Sequence, residues 1–205
     1  MVIRNIWCVG RNFLDHVQEI GAEMPQEPII FLKAGSSATV GSSEIWLPYW
    51  TEEVHYELEL ALRFDAFLKI KEAALALDLT ERRYQREAKQ KGLPWTRCKS
   101  FDEACPITPT FLIRSLESIK DTPYRLWING QLRQEAIARH MHFPLEFLVQ
   151  HLEEFYPVTG GDFLLTGTPA GSGPLQPGDE IKVQFLGEIT HIWKVFKHQA
   201  PSGDR

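Results

Sequence analysis

The sequence predicts a mainly β protein with a few helices (α+β), its strands rolled or closed into a barrel-like sheet. Three observations carry this expectation. Short apolar runs recur along all 205 residues, divided by Gly, Pro and Asn signals. Asn129-Gly130 separates two strand-like runs, and Asn-Gly supplies the positive φ angles of a two-residue hairpin turn. Few segments, chiefly 80–91 and 143–155, carry helical character.

In chain order, 3–9 is a short apolar strand running into the turn Gly10-Arg11-Asn12. Residues 13–20 have helical spacing, which puts His16 and Glu19 on one face at i and i+3. Residues 27–33 form a strand ending in Lys33, the Ser- and Gly-rich 34–43 form a loop, and Ile45-Trp46-Leu47-Pro48 is another apolar piece. Lys69, Lys71, Glu72 and the alanines make 64–74 read as helical, before a strand at 75–79 that holds Asp78. A charged helix at 80–91 stops at Gly92-Leu93-Pro94. Lys99-Ser100-Phe101-Asp102 falls in a loop, and 105–112 returns to a strand. After the hairpin of 124–135, Leu145, Leu148, Val149 and Leu152 mark a helix with one face in the core. Residues 162–169 enter a glycine-rich loop that lacks the Lys-Ser/Thr of a nucleotide-binding loop. A last hairpin, 181–185 with 189–196, closes the chain.

The chemistry concentrates in Val54-His55-Tyr56-Glu57-Leu58-Glu59-Leu60. On a strand, Glu57 and Glu59 project from one face while Tyr56, Leu58 and Leu60 point into a core. Two such carboxylates repel unless a cation or a shared proton sits between them. Asp78 is a third acid inside an apolar run. Three carboxylates with no Cys or nearby His pair suit a hard cation such as Mg²⁺, Mn²⁺ or Ca²⁺. A half-solvated strand whose acids face water is the competing account. His16 beside Glu19 makes a general-base pair, the carboxylate orienting the imidazole, or else an incidental surface ion pair. His140 and His142 fall between hairpin and helix, where no motif places a carboxylate with them.

Composition narrows the classes. A net charge of −5 without a basic stripe argues against nucleic acid. Three cysteines, odd in number and without metal-ligand spacing, fit a reduced, cytoplasmic compartment. No apolar run reaches membrane-span length, and the N-terminus lacks a signal-peptide layout. The expected organisation is one catalytic domain over 1–199 and a disordered tail at 200–205.

Several segments in fixed order resemble the fumarylacetoacetate hydrolase family. They are Gly10-Arg11-Asn12 with His16-x-x-Glu19, Pro28-Ile29-Ile30-Phe31-Leu32-Lys33, Glu57-x-Glu59 and Asp78-Leu79-Thr80. Gly92-Leu93-Pro94-Trp95, Lys99-Ser100-Phe101-Asp102, Asn129-Gly130 and Thr166-Gly167-Thr168-Pro169 follow. The likeness runs over about 6–195 and is strongest to the small acylpyruvate hydrolase and oxaloacetate decarboxylase type. It implies a mixed β-sandwich roll, a homodimer, and a Mg²⁺ or Mn²⁺ ion in each chain. Carried over by position, Glu57, Glu59 and Asp78 are metal ligands. His16 and Glu19 are a catalytic dyad on a short lid helix, about 11–22. Arg11, Gln85, Lys99 and Thr166 hold the carboxylate and keto oxygens of a small 2-oxo acid, and Lys99 also serves in catalysis. Two departures stand out: the interval from Glu59 to Asp78 is shorter than in the family, and Arg83 replaces an acid.

These parts together can run enolate chemistry. A 2-oxo acid offers a carboxylate and a keto oxygen to a Lewis-acidic cation, which stabilises the enolate formed when a bond at C3 breaks. His16 with Glu19 would activate water against a distal carbonyl, while Lys99 and Arg11 balance the developing charge. Hydrolysis of acylpyruvates is the first expectation, with oxaloacetate decarboxylation open to the same parts. An oxaloacetate keto–enol tautomerase is the alternative, and a non-catalytic binding protein the third.

Overall fold

The computed structural model describes residues 2–201; most of the tail expected at 200–205 lies outside the described residues. The first strands are β1 (Asn5–Gly10), β2 (Ile29–Ala34), β3 (Ala38–Val40), β4 (Glu44–Leu47) and β5 (Val54–Tyr56). Next come β6 (Leu58–Phe64), β7 (Ile70–Leu77), β8 (Thr80–Glu81), β9 (Cys105–Ile107) and β10 (Phe111–Leu112). The chain ends with β11 (Tyr124–Ile128), β12 (Gln131–Ala136), β13 (Phe163–Leu165), β14 (Gly173–Pro174), β15 (Glu180–Phe185) and β16 (Glu188–Lys197). The α-helices are α1 (Leu14–Glu19), α2 (Arg82–Lys91), α3 (Thr96–Lys99) and α4 (Leu145–Phe155).

The strands form a mixed β roll. An eight-stranded sheet runs β2-β1-β13-β6-β7-β9-β3, with β10 paired to β7. A five-stranded sheet runs β12-β11-β15-β16-β4, and β14-β5-β8 make a small third sheet. Alternation along β6 explains the layering. Leu58, Leu60, Leu62 and Phe64 join Leu126, Ile181, Val183 and Trp193 in the main core. Ala61, from the opposite face of β6, belongs to a second cluster with Ile6, Cys8, Ala74, Ala76, Cys105 and Phe163. Three of those residues are alanines, which lets a strongly curled sheet close on itself.

The hairpin predicted at Asn129-Gly130 is present, with φ of 50° and 78° at the two turn residues. In α4, Leu145, Leu148 and Leu152 are buried as the spacing requires. Helix α2 begins later than expected, because Thr80 and Glu81 pair with β5. The Glu81 carboxylate then caps the helix by accepting from the Tyr84 N–H at 2.7 Å.

Four local expectations are corrected. Residues 64–74 are not helical: β6 and β7 form an antiparallel hairpin with Leu62 opposite Ala73. Its turn is held by Asp65 Oδ1, which accepts from the Phe67 and Lys69 N–H groups. Residues 34–43 contain a 3₁₀ turn at Gly35–Ser37 and then β3. Asp78 lies one residue beyond β7, and Lys99 is the last residue of α3 rather than part of a loop.

Candidate active site

One end of the curled sheet opens into a cavity of about 50 Å³, lined by Glu57, Glu59, Asp78, His16, Arg11 and Lys99. Gln85, Arg82, Lys89 and Thr168 also face it. Eight of the nine residues expected at the site therefore gather in or beside one small space, although they come from five separated segments.

Glu59 shares the face of β6 that carries Ala61, and its Oε2 accepts the Gly167 N–H at 2.5 Å. Gly167 has a φ of +100°, and a Cβ there would come within 2.7 Å of Asn12 Cβ, so no larger residue can make this approach. Glu57 sits at the break between β5 and β6. Its Oε1 lies 2.7 Å from Arg82 Nη2 and its Oε2 2.9 Å from Lys99 Nζ. Asp78 is held from both sides, Oδ1 by Lys33 Nζ at 2.6 Å and Oδ2 by Lys99 Nζ at 2.5 Å.

The electrostatics divide these acids. Burial alone would push the Glu57 carboxyl up, but Lys99 and Arg82 hold it down at about 2. Burial pushes Glu59 well above the ordinary carboxylate range; the Asp78 charge adds to this, and the Gly167 N–H opposes it only in part. Burial works against the Lys99 ammonium, yet Asp78 and Glu57 raise its pKa above the ordinary lysine value. Glu59 is thus the buried acid without a cation of its own.

That arrangement fits a divalent metal. Glu57, Glu59 and Asp78 each offer an oxygen, all within 4.8 Å of one another, and all three residues are buried. Hard oxygen donors converging at this spacing match bond lengths of roughly 2.0–2.6 Å to Mg²⁺-, Mn²⁺- or Ca²⁺-like cations after slight contraction. A cation there would supply the positive charge that Glu59 lacks.

His16 and Glu19 meet as their spacing predicted, with Nδ1 3.2 Å from Glu19 Oε2. An ionised carboxylate can only accept, so the contact calls for a proton on Nδ1, and in the neutral ring Nε2 then carries the lone pair. Glu19 also accepts from the Gly171 N–H at 3.1 Å, tying α1 to the glycine-rich loop. The start of α1 is anchored by Asn12, whose side chain donates to the Thr166 and Phe143 carbonyls and accepts from the Phe143 N–H.

Of the expected residues, Glu19 reaches the cavity only through His16, and Thr166 does not line it. Its hydroxyl donates to the Leu60 carbonyl at 2.9 Å, and Thr168, two residues on, faces the space instead. Gln134 orients Thr168. Its Oε1 accepts from Leu58 N–H, and its Nε2 donates both to Pro169 O and to Thr168 Oγ1, each at 2.9 Å. With Nε2 as the donor, the Thr168 proton is free to point into the cavity.

Lys33, Arg82, Asn12, Gln134, Thr168 and Lys89 had not been singled out as site residues. Some signal was present: Lys33 ends an apolar strand, and Arg82 precedes Gln85 by three on α2. Nothing in the sequence ties Gln134 to Thr168 across 34 positions. Arg83 lies outside the cavity lining, paired with Glu52 at 2.6 Å.

Known proteins resemble this chain throughout its length. The family described as fumarylacetoacetate (FAA) hydrolase C-terminal matches residues 5–194. The mitochondrial oxaloacetate tautomerase of Bos taurus is 38% identical over 206 residues, covering 94% of this chain and 91% of that protein. The mitochondrial oxaloacetate decarboxylase of Dictyostelium discoideum is 37% identical over 205 residues, covering 92% of each. The crystal structure of fumarylpyruvate hydrolase from Pseudomonas aeruginosa, in complex with Mn²⁺ and pyruvate, superposes with a TM-score of 0.85. At 27% identity, that likeness covers 96% of this chain and 91% of the other.

Proposed function

This chain belongs to the fumarylacetoacetate hydrolase family, and from that premise we propose that it enolises small 2-oxo acids, acting as an oxaloacetate keto–enol tautomerase that depends on Mg²⁺ or Mn²⁺. One observation carries this: the His16 imidazole, its Nδ1 held by Glu19, lines the same cavity as the three buried carboxylates. A base and a Lewis-acid site facing one small space suit removal and return of a proton beside a ketone.

Glu57, Glu59 and Asp78 would hold a divalent cation, which would supply Lewis acidity toward such a substrate. The remaining work falls to side chains. His16 Nε2 takes the C3 proton and delivers it to the enolate oxygen, or in reverse takes the enol proton and delivers it to C3, with Glu19 holding the ring through its charged state. Lys99 offsets the negative charge that develops at the keto oxygen. Thr168, its proton turned outward by Gln134, donates to a substrate oxygen. A cavity of about 50 Å³ is tight for a 2-oxo acid, and in this reading movement of α1 admits the substrate. Release of the Glu19–Gly171 contact would free α1 for that movement.

Hydrolysis of acylpyruvates is the second reading, supported by the likeness to a fumarylpyruvate hydrolase crystallised with Mn²⁺ and pyruvate. In that case His16 activates water instead of removing a substrate proton. Ultraviolet absorbance separates the two. Metal-dependent acceleration of enol–keto conversion of oxaloacetate, without pyruvate formation, supports the tautomerase. Metal-dependent loss of acetylpyruvate with pyruvate appearing supports the hydrolase. Silence in both assays with metal present would refute both.

A further inference from the structure

The cations around the cavity fall into two sets. Lys33, Lys99 and Arg82 are committed to Asp78 and Glu57 at 2.5–2.9 Å. Arg11 and Lys89 line the same cavity, yet among the described residues neither has a carboxylate within the 4.0 Å of a salt bridge.

Both are placed by features with local causes. Arg11 holds a left-handed backbone, φ 59°, where β1 turns into α1. That conformation is costly for a residue with a Cβ, and such strain concentrates at functional sites. Lys89 follows Arg82 by seven residues and Gln85 by four, so all three share one face of α2, and all three line the cavity. The Lys89 ammonium also stands 5.9 Å from the ring of Trp95, another cavity residue.

Partial burial lowers the proton affinity of Lys89, and Arg82, Arg11 and Lys99 lower it further, which places its ammonium in a field of like charge. Such an arrangement is relieved by an incoming anion. The lining carries three carboxylates, Glu57, Glu59 and Asp78, against four cations, Arg11, Arg82, Lys89 and Lys99. A divalent metal makes the balance more positive still. One substrate carboxylate, the one beside the keto group, leaves Arg11 and Lys89 without a partner. A neutral acyl chain would leave them equally unpaired.

We propose that Lys89, together with Arg11, seats a second carboxylate, so that the cavity selects 2-oxo dicarboxylates over 2-oxo monocarboxylates. This rests on the 2-oxo acid reading given above, and it makes Lys89 a specificity-determining residue.

The test uses the Mn²⁺-loaded full chain and calorimetric binding of two stable probes, pyruvate for one carboxylate and 2-oxoglutarate for two. Turnover of oxaloacetate and of acetylpyruvate is followed in parallel. In Lys89→Gln the preference for two carboxylates over one falls about tenfold, the loss expected for one charge-assisted hydrogen bond. Lys89→Arg keeps most of that preference. Lys91→Gln, which removes a charge from the same helix outside the cavity lining, leaves it in place. An equal loss for both probes in Lys89→Gln, no loss for either, or an equal change in Lys91→Gln would overturn the assignment. If no 2-oxo acid is turned over but the binding contrast is present, the proposed reaction fails and the second-carboxylate seat stands.

Discussion

Lys33 Nζ lies 2.6 Å from Asp78 Oδ1, with the two side chains 0% and 1% exposed. Lys33 also donates to the Leu79 carbonyl at 3.0 Å, so one ammonium fixes both an acid of the buried cluster and the backbone that follows it. The strand that carries Lys33 and the one that delivers Asp78 are not neighbours in the sheet; its curl brings them together.

Removing one partner of a buried pair leaves the other charge uncompensated. Lys33→Met is therefore expected to lower the unfolding free energy by about 3 kcal/mol or more, measured by urea denaturation of the metal-free protein. A change below about 1 kcal/mol would mean that Lys99 alone suffices for Asp78.

Glu59 and Glu57 give opposite pH signatures. The raised folded pKa of Glu59 makes the folded chain hold a proton that the unfolded chain releases above its ordinary 4.5. Its contribution is present below that pH and is lost as pH rises toward the folded value. Glu57, at about 2 when folded, contributes above 4.5 and loses that contribution as pH falls toward 2. Glu59→Gln should thus raise the Tm of the metal-free protein at pH 7.5 by about 3 °C or more. The same variant should lose the further rise that Mn²⁺ gives the wild type. A metal-free variant less stable than wild type at that pH would contradict the burial account of Glu59.

The Glu57–Glu59 pair and the His16–Glu19 contact were legible as neighbours because period two and the i, i+3 rule are local, whereas their expected roles came from the family resemblance. Glu57, Glu59, His16 and Glu19 needed only a few residues of context. The hairpin at Asn129-Gly130 and the buried face of α4 were readable for the same reason. The 64–74 segment misled because alanines, Lys69, Lys71 and Glu72 favour a helix in isolation. In the fold, Ala73, Ala74 and Ala76 are fully buried in a sheet that needs small residues, and Glu72 pairs across the hairpin with Arg63 at 2.5 Å. Tertiary packing outweighed propensity there. Thr166 and Thr168 differ by one turn of a glycine-containing loop, and only the fold shows which hydroxyl is already spent on Leu60.

The Gln134–Thr168 contact predicts a coupled effect. Thr168→Val removes the outward proton and should weaken pyruvate binding about tenfold. Gln134→Glu replaces the donor with an acceptor, turns the Thr168 proton away from the cavity, and should weaken binding in the same direction. The double variant should be no worse than the poorer single one, because both remove the same hydrogen bond. Additive losses in that cycle would show that Gln134 acts only as a structural tie.

In the proposed reaction His16 moves a proton at C3 of a 2-oxo acid beside the acidic cluster. Exchange of the pyruvate methyl protons into D₂O, followed by ¹H NMR with the Mg²⁺-loaded protein, reports that step without any carbon–carbon cleavage. The expected result is exchange catalysed by the wild type, abolished by chelator, and roughly 100-fold slower or worse in His16→Gln with metal binding retained. Exchange at the wild-type rate in metal-loaded His16→Gln would contradict it.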